Sequence, residues 1–96
     1  MAQITWSPAS LRDLSRLQAF LLPKSSEAAR RAAAAIRQGI RLLQQHPAAG
    51  RPVENLDLDY RDLPIVFGNS GYLVRYQIRG GEVLIVGIKH AREAGY

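Results

Sequence analysis

Arg61, Arg75, Lys89, His90 and Glu93 are the side chains of this sequence best suited to acid–base work at a phosphate. Cleavage of RNA through its 2′-hydroxyl needs a base, an acid and a cation converging on one phosphorus. Their spacing argues against that. In the strand register derived below, Arg75 lies opposite Val86, four residues from His90, which separates the backbones by about 13 Å at roughly 3.3 Å per residue. Arg61 falls on the other face, near the far end of the sheet. We therefore assign no catalytic residue.

Other chemistries lack their groups as well. The 96-residue chain has no cysteine, so it carries neither a thiol nucleophile nor a disulfide framework. It has no Gly-x-Ser-x-Gly, no phosphate-cradling glycine loop and no histidine pair at metal spacing. Glu54, Asp57, Asp59 and Asp62 gather in one stretch, but their spacing fits no EF-hand loop and reads as solvated charge. No cofactor and no metal is expected. His46, before Pro47, reads as a complement to a helix C-terminus, and His90 as a packing residue at a strand end.

The elements that would position these groups follow from periodicity. Ala2, Ile4 and Trp6 alternate with polar neighbours, as in a half-buried strand. Ser7-Pro8 is an N-cap followed by proline at the first helical position. Leu11, Leu14, Leu17, Gln18 and Leu21 then form one helical face that ends before Pro23. Ser25 or Ser26 caps a second helix, whose stripe is Ala29, Ala32, Ala33, Ile36, Ile40 and Leu43. Pro47, Gly50 and Pro52 make residues 47–59 a loop.

The last third reads as a three-stranded antiparallel meander. Gly80-Gly81 is a two-residue turn that sets Arg79 opposite Glu82, Gln77 opposite Leu84, Arg75 opposite Val86 and Leu73 opposite Ile88. A four-residue loop, Gly68-Asn69-Ser70-Gly71, sets Phe67 opposite Tyr72, Ile65 opposite Val74 and Leu63 opposite Tyr76. One face then holds Leu63, Ile65, Phe67, Tyr72, Val74, Tyr76, Ile78, Val83 and Ile85, and the helices are expected on it. The fold class is α+β, a single domain over residues 1–96.

The other face carries Leu73, Arg75, Val86 and Ile88. Two helices cannot cover both faces, and an apolar strip left open on a small domain marks a partner site. Charge adds to this. Residues 1–51 hold eight Arg or Lys against Asp13 and Glu27, a local net of +6, whereas residues 52–96 hold five against six acids. Arg30, Arg37 and Arg41 share one flank of the second helix, which favours an acidic partner. No signal sequence and no membrane-length apolar run is visible, so a soluble, cytoplasmic protein is expected.

The order strand, helical hairpin, loop and meander resembles the RelE/ParE superfamily of bacterial toxins. The patterns that carry the resemblance are Trp6-Ser7-Pro8 with Asp13-Leu14, then Leu43 through His46-Pro47 into Gly50-Arg51-Pro52. Tyr60-Arg61-Asp62-Leu63, Gly71-Tyr72-Leu73-Val74-Arg75-Tyr76 and Ile88-Lys89-His90-Ala91-Arg92-Glu93 complete them. The set spans the chain and looks most like the ParE branch.

That resemblance implies the toxin of a type II toxin–antitoxin pair, one that inhibits DNA gyrase and is neutralised by an acidic ParD-like antitoxin. Operator DNA would be engaged only through the antitoxin complex. The alternative is a ribosome-dependent messenger-RNA endonuclease of the RelE type, which Tyr96 at the terminus keeps open. The antitoxin is expected on Leu73, Arg75, Val86 and Ile88, with its acidic groups near Arg30, Arg37 and Arg41. His90, Arg92 and Glu93, in a charged tail, together with Arg61, are the expected target contacts.

Overall fold

The computed structural model describes residues 1–56 and 59–93. Strand β1 (Gln3–Trp6) leads into helix α1 (Pro8–Leu21) and helix α2 (Ser26–Leu42). A 3-10 turn (Pro47–Ala49) and a two-residue strand β2 (Arg51–Pro52) occupy the stretch read from sequence as loop. The meander follows as β3 (Tyr60–Phe67), β4 (Ser70–Arg79) and β5 (Glu82–His90). The five strands form one sheet in the order β1-β5-β4-β3-β2, in which β1 runs parallel to β5 and the remaining pairs are antiparallel.

Both helices start where the caps predict. Ser7 Oγ accepts from the Ser10 N–H at 3.0 Å, and Ser25 Oγ accepts from the Ala28 N–H at 3.1 Å. Each cap satisfies one N–H that a first helical turn leaves without a partner. Leu14 and Leu17 of α1 and Ala32, Ala33, Ile36 and Ile40 of α2 pack on Leu63, Ile65, Val74, Tyr76, Val83 and Ile85. The helices thus cover the face expected of them. The one departure in α1 is Leu11, which lies on its apolar stripe yet stays 52% exposed.

The strand register differs from the sequence reading at both hairpins, with different consequences. The β3–β4 connection is a two-residue turn, Gly68-Asn69, that pairs Phe67 with Ser70 and Ile65 with Tyr72. Gly68 takes φ 62°, a left-handed value open to glycine, so the turn closes tighter than the four-residue loop. A slip of two residues keeps every side chain on its expected face.

The β4–β5 pairing holds from Arg79↔Glu82 through Tyr76↔Ile85 and then shifts, so that Arg75 faces Gly87 and Val74 faces Ile88. The extra residue is Val86, a β-bulge. One inserted residue reverses the faces beyond it. Ile88 is therefore in the core at 0% exposure rather than on the open face, and its expected role in antitoxin binding is corrected. Leu73 pairs with Lys89 instead.

Beyond Ile85 the outer edge of β5 has no neighbouring strand among the described residues, and side chains of α1 and its N-cap close it. The Ser7 hydroxyl donates to the Val86 carbonyl at 3.4 Å, Asp13 Oδ2 accepts from the Ile88 N–H at 2.8 Å, and Arg16 donates to the Ile88 carbonyl at 3.5 Å. These groups stand in for a strand and protect an edge that would otherwise recruit one.

Candidate functional site

Arg75 and Asp62 face each other directly across β3 and β4 on the face away from the helices. Arg75 donates from Nε to Asp62 Oδ1 at 2.9 Å and from Nη2 to Oδ2 at 3.0 Å, a two-pronged pair whose side chains are 18% and 20% exposed. Such forked geometry fixes both groups and makes them a rigid polar feature. Leu73, Leu84 and Val86 are half-buried beside it, while Pro64 and Val66 on β3 are exposed, Val66 at 84%. This face is an apolar surface built around one ion pair.

Arg61 is turned to the helix side, opposite Tyr76. Its Nη1 donates to the carbonyls of Ala48 at 3.1 Å and Gly50 at 3.0 Å, and its Nε to Asp59 at 3.2 Å. Tyr76 works on the same turn: its hydroxyl donates to the Pro47 carbonyl at 2.7 Å and accepts from the buried Gly50 N–H at 2.8 Å. Burial pushes the Tyr76 phenol up, which keeps it a donor. A Cβ on residue 50 would stand 2.6 Å from that hydroxyl, so glycine is required by the close approach. Arg61, expected at the target contact, is therefore placed as a clamp on the 47–50 turn.

The bulge carries His90 to the helix side as well. Its ring meets Tyr72 edge-on at 5.5 Å, and its Nδ1 accepts from the Arg92 N–H at 3.2 Å. The segment after β5 is held rather than free. Glu93 accepts from Arg16 at 3.0 and 3.2 Å and from the His90 N–H at 2.8 Å, and Lys89 Nζ donates to the Glu93 carbonyl at 2.9 Å. The His90 N–H bond above all holds the Glu93 carboxyl below its ordinary range; burial opposes it, and Arg16 adds to the lowering. Glu93, expected at the target contact, thus has its carboxylate engaged within the fold while its side chain stays 38% exposed. Arg92 is left exposed at the tip of the turn that Glu93 ties down.

Arg75, Arg61, His90 and Arg92 are thus not brought together. Arg75 is on one face with Asp62, Arg61 is at the far end of the other, and His90 packs on Tyr72. Arg30, Arg37 and Arg41 are exposed on α2 as expected, Arg30 at 3.9 Å from Glu27. Asp57, in the acidic stretch, and Tyr96 lie outside the described residues. Among the described residues no group of three His, Asp or Glu side chains is placed to hold a metal ion. No helix among them is long and apolar enough to cross a membrane.

What sequence reasoning missed is a groove of about 400 Å³ between β1 and the helices, lined by Ile4, Trp6, Leu11, Arg37, Ile40, Arg41 and Gln44. Its only signal in the sequence was Leu11, one apolar residue more than the helix needs for its own packing.

With this geometry in view, the comparisons with known proteins become specific. The family model described as the ParE toxin of the type II toxin–antitoxin system parDE matches residues 4–95. The chain belongs to the ParE toxin family. It is 32% identical over 93 residues to Toxin RelE3 of Caulobacter vibrioides, covering 97% of this chain and 98% of that one. Toxin RelE1 of the same organism is 32% identical over 82 residues, 85% of each chain. The fold is also that of a solved structure titled as the chromosomal ParDE TA system from P. aeruginosa, with a TM-score of 0.74 and 22% identity over 94% of this chain and 96% of that one. As a ParE/RelE-family protein, the chain is the toxin of a type II toxin–antitoxin system, and an antitoxin is its partner.

Proposed function

We propose that this ParE-family toxin arrests growth by inhibiting DNA gyrase in the cytoplasm and is silenced by an acidic, ParD-like antitoxin. Operator DNA would be reached only through that antitoxin complex. The observation that carries this reading is the placement of Arg92. It is exposed on a turn that Arg16 and Glu93 hold rigid, as a contact element for a large partner should be, while the cationic and histidine groups that RNA cleavage would need are spread over both faces of the sheet. His90 supports that turn from beneath. The antitoxin covers Leu73, Arg75 and Val86, and its carboxylates approach Arg30, Arg37 and Arg41. A chain that folds as it binds suits such a surface, because it reaches a wide area of a small protein.

Ribosome-dependent messenger-RNA cleavage is the second reading, favoured by the RelE names of the relatives in Caulobacter. One pair of assays separates the two. Purified toxin should block supercoiling by gyrase or raise cleaved complexes, and Arg92→Glu should relieve this while leaving the fold intact. Ribosome-bound messenger RNA should stay uncut at the same concentration. Codon-positioned cleavage with gyrase untouched would transfer the toxin to the endonuclease reading.

A further inference from the structure

Each backbone donor of the turn that follows β5 has a partner, and one of those partners titrates. Residues 90–93 form a turn closed by the Glu93 N–H on the His90 carbonyl at 3.0 Å. The Ala91 N–H reaches out of it to the Gly71 carbonyl at 2.9 Å, and the His90 N–H bonds the Glu93 carboxylate at 2.8 Å. The Arg92 N–H, third in the turn, is taken by the His90 ring itself, at Nδ1 and 3.2 Å. A side chain that accepts from the N–H two residues on plays the part that Asn or Asp plays in an Asx turn.

Histidine fills that part under a condition that Asn does not have. An acceptor at Nδ1 requires a neutral imidazole with its proton on Nε2. A second proton puts a hydrogen on Nδ1, sets donor against donor at the Arg92 N–H, and breaks the bond. The surroundings hold the ring from several sides. Tyr72 of β4 meets it edge-on at 5.5 Å, and burial pushes the Tyr72 phenol up, so this neighbour stays uncharged. Glu93 is engaged by Arg16 of α1 and by the His90 N–H, and Asp13 of α1 is engaged by the Ile88 N–H, with Arg16 3.8 Å away. Lys89 and Arg92, beside the ring in sequence, are cations, and Lys89 is tied to the Glu93 carbonyl at 2.9 Å. These charges carry both signs, and the bond to Arg92 is the contact that a proton on the ring reverses.

We propose that His90 is a positioning residue for Arg92, which it aims only while its imidazole is neutral, so that the toxin loosens its hold on its target as the ring takes up a proton. This rests on the reading of Arg92 as the gyrase contact, and adds the group that sets its geometry and its response to pH. The Arg92 guanidinium keeps its charge throughout. What changes is the backbone that presents it. Once the Arg92 N–H is released, the tip of the turn has to be reordered on binding, and that ordering costs affinity.

Amide exchange of the full-chain toxin, read by NMR beside the titration of the His90 ring, tests the hold directly. Protection of the Arg92 N–H, taken against its intrinsic rate at each pH, should fall about fivefold along the same curve as the ring protonates. His90→Asn supplies an acceptor that does not titrate and should keep Arg92 protected at every pH, whereas His90→Ala should leave it unprotected throughout. Both variants lose the ring contact with Tyr72, so the difference between them belongs to the acceptor. The toxin concentration for half-inhibition of gyrase, normalised to toxin-free gyrase at each pH, should rise about fivefold across the His90 titration and show no step in His90→Asn. His46 is the other histidine of the chain, and a step that it caused would survive that substitution. Arg92 protection that ignores the His90 titration, or persists in His90→Ala, overturns the proposal whatever gyrase does. Protection that follows the ring beside gyrase inhibition without a step overturns the role of His90 at the target. Protection that follows the ring with gyrase untouched at every pH supports the hold on Arg92 and overturns the gyrase reading.

Discussion

Replacing Ile88 with alanine tests the bulge at Val86, on which the two faces of the sheet depend. In an uninterrupted register Ile88 and Leu73 are neighbours on the open face and would cost the same to truncate. In the structure Ile88 is fully buried among the helices' contacts and Leu73 is half-exposed opposite Lys89. Cutting a buried isoleucine to alanine removes its transfer free energy and leaves a cavity, about 2–5 kcal/mol, and about 3 is expected here. Leu73 loses only part of its apolar contact and leaves no closed cavity, so under about 1.5 kcal/mol is expected. For a domain of this size 1 kcal/mol moves the midpoint by about 4–8 °C, which predicts a fall of about 12–24 °C for Ile88→Ala. Urea unfolding followed by circular dichroism gives both values, and an unchanged slope excludes an altered denatured state. Equal losses, or a larger one for Leu73→Ala, would refute the bulge and return Ile88 to the open face.

Tyr76→Phe strands the buried Gly50 N–H and releases the Pro47 carbonyl, so a loss of about 1–3 kcal/mol is expected by the same unfolding measurement. Asp13→Ala frees the Ile88 N–H at the β5 edge, and amide exchange at Ile88 should quicken well beyond that of Val83. Because the Glu93 carboxyl sits below its ordinary range in the folded state, its stabilisation is present above the unfolded value and is lost as pH falls through the folded one. Glu93→Gln should therefore flatten the acid limb of a stability–pH curve, and Glu93 should titrate below ordinary glutamates by NMR.

The caps at Ser7 and Ser25, the apolar stripe of α2 and the Gly80-Gly81 turn were legible because each is a local signal. The helix-covered face was legible for a different reason: the error at Gly68-Asn69 was an even number of residues. The bulge was not read, although Gly87 inside a strand pattern is the kind of residue that marks one. The fates of Arg61 and Glu93 were hidden more deeply. A charged side chain carries no sign of whether its partner is solvent, a target or a distant part of its own chain. Arg61 spends its donors on carbonyls of the 47–50 turn, and Glu93 reaches Arg16 across 77 residues of sequence. The groove escaped because its walls come from β1, α1 and α2 together, and periodicity examines one element at a time.

The parallel pairing of β1 with β5, sealed by Ser7, Asp13 and Arg16, joins the first strand of the sheet to the last. The hydrogen bond from the Ile88 N–H to Asp13 closes a separation of 75 residues. A nascent chain leaves the ribosome amino end first, so its helical hairpin is exposed before the strand that completes the sheet has been synthesised. Ile88 enters the core and Glu93 meets Arg16 only after almost the whole chain has emerged. A product of interrupted translation lacks β5, and with it the partner of β1, part of the core and the Arg92 turn. Translation itself thereby acts as a proofreader, since an incomplete copy of the chain cannot close its sheet or complete its core.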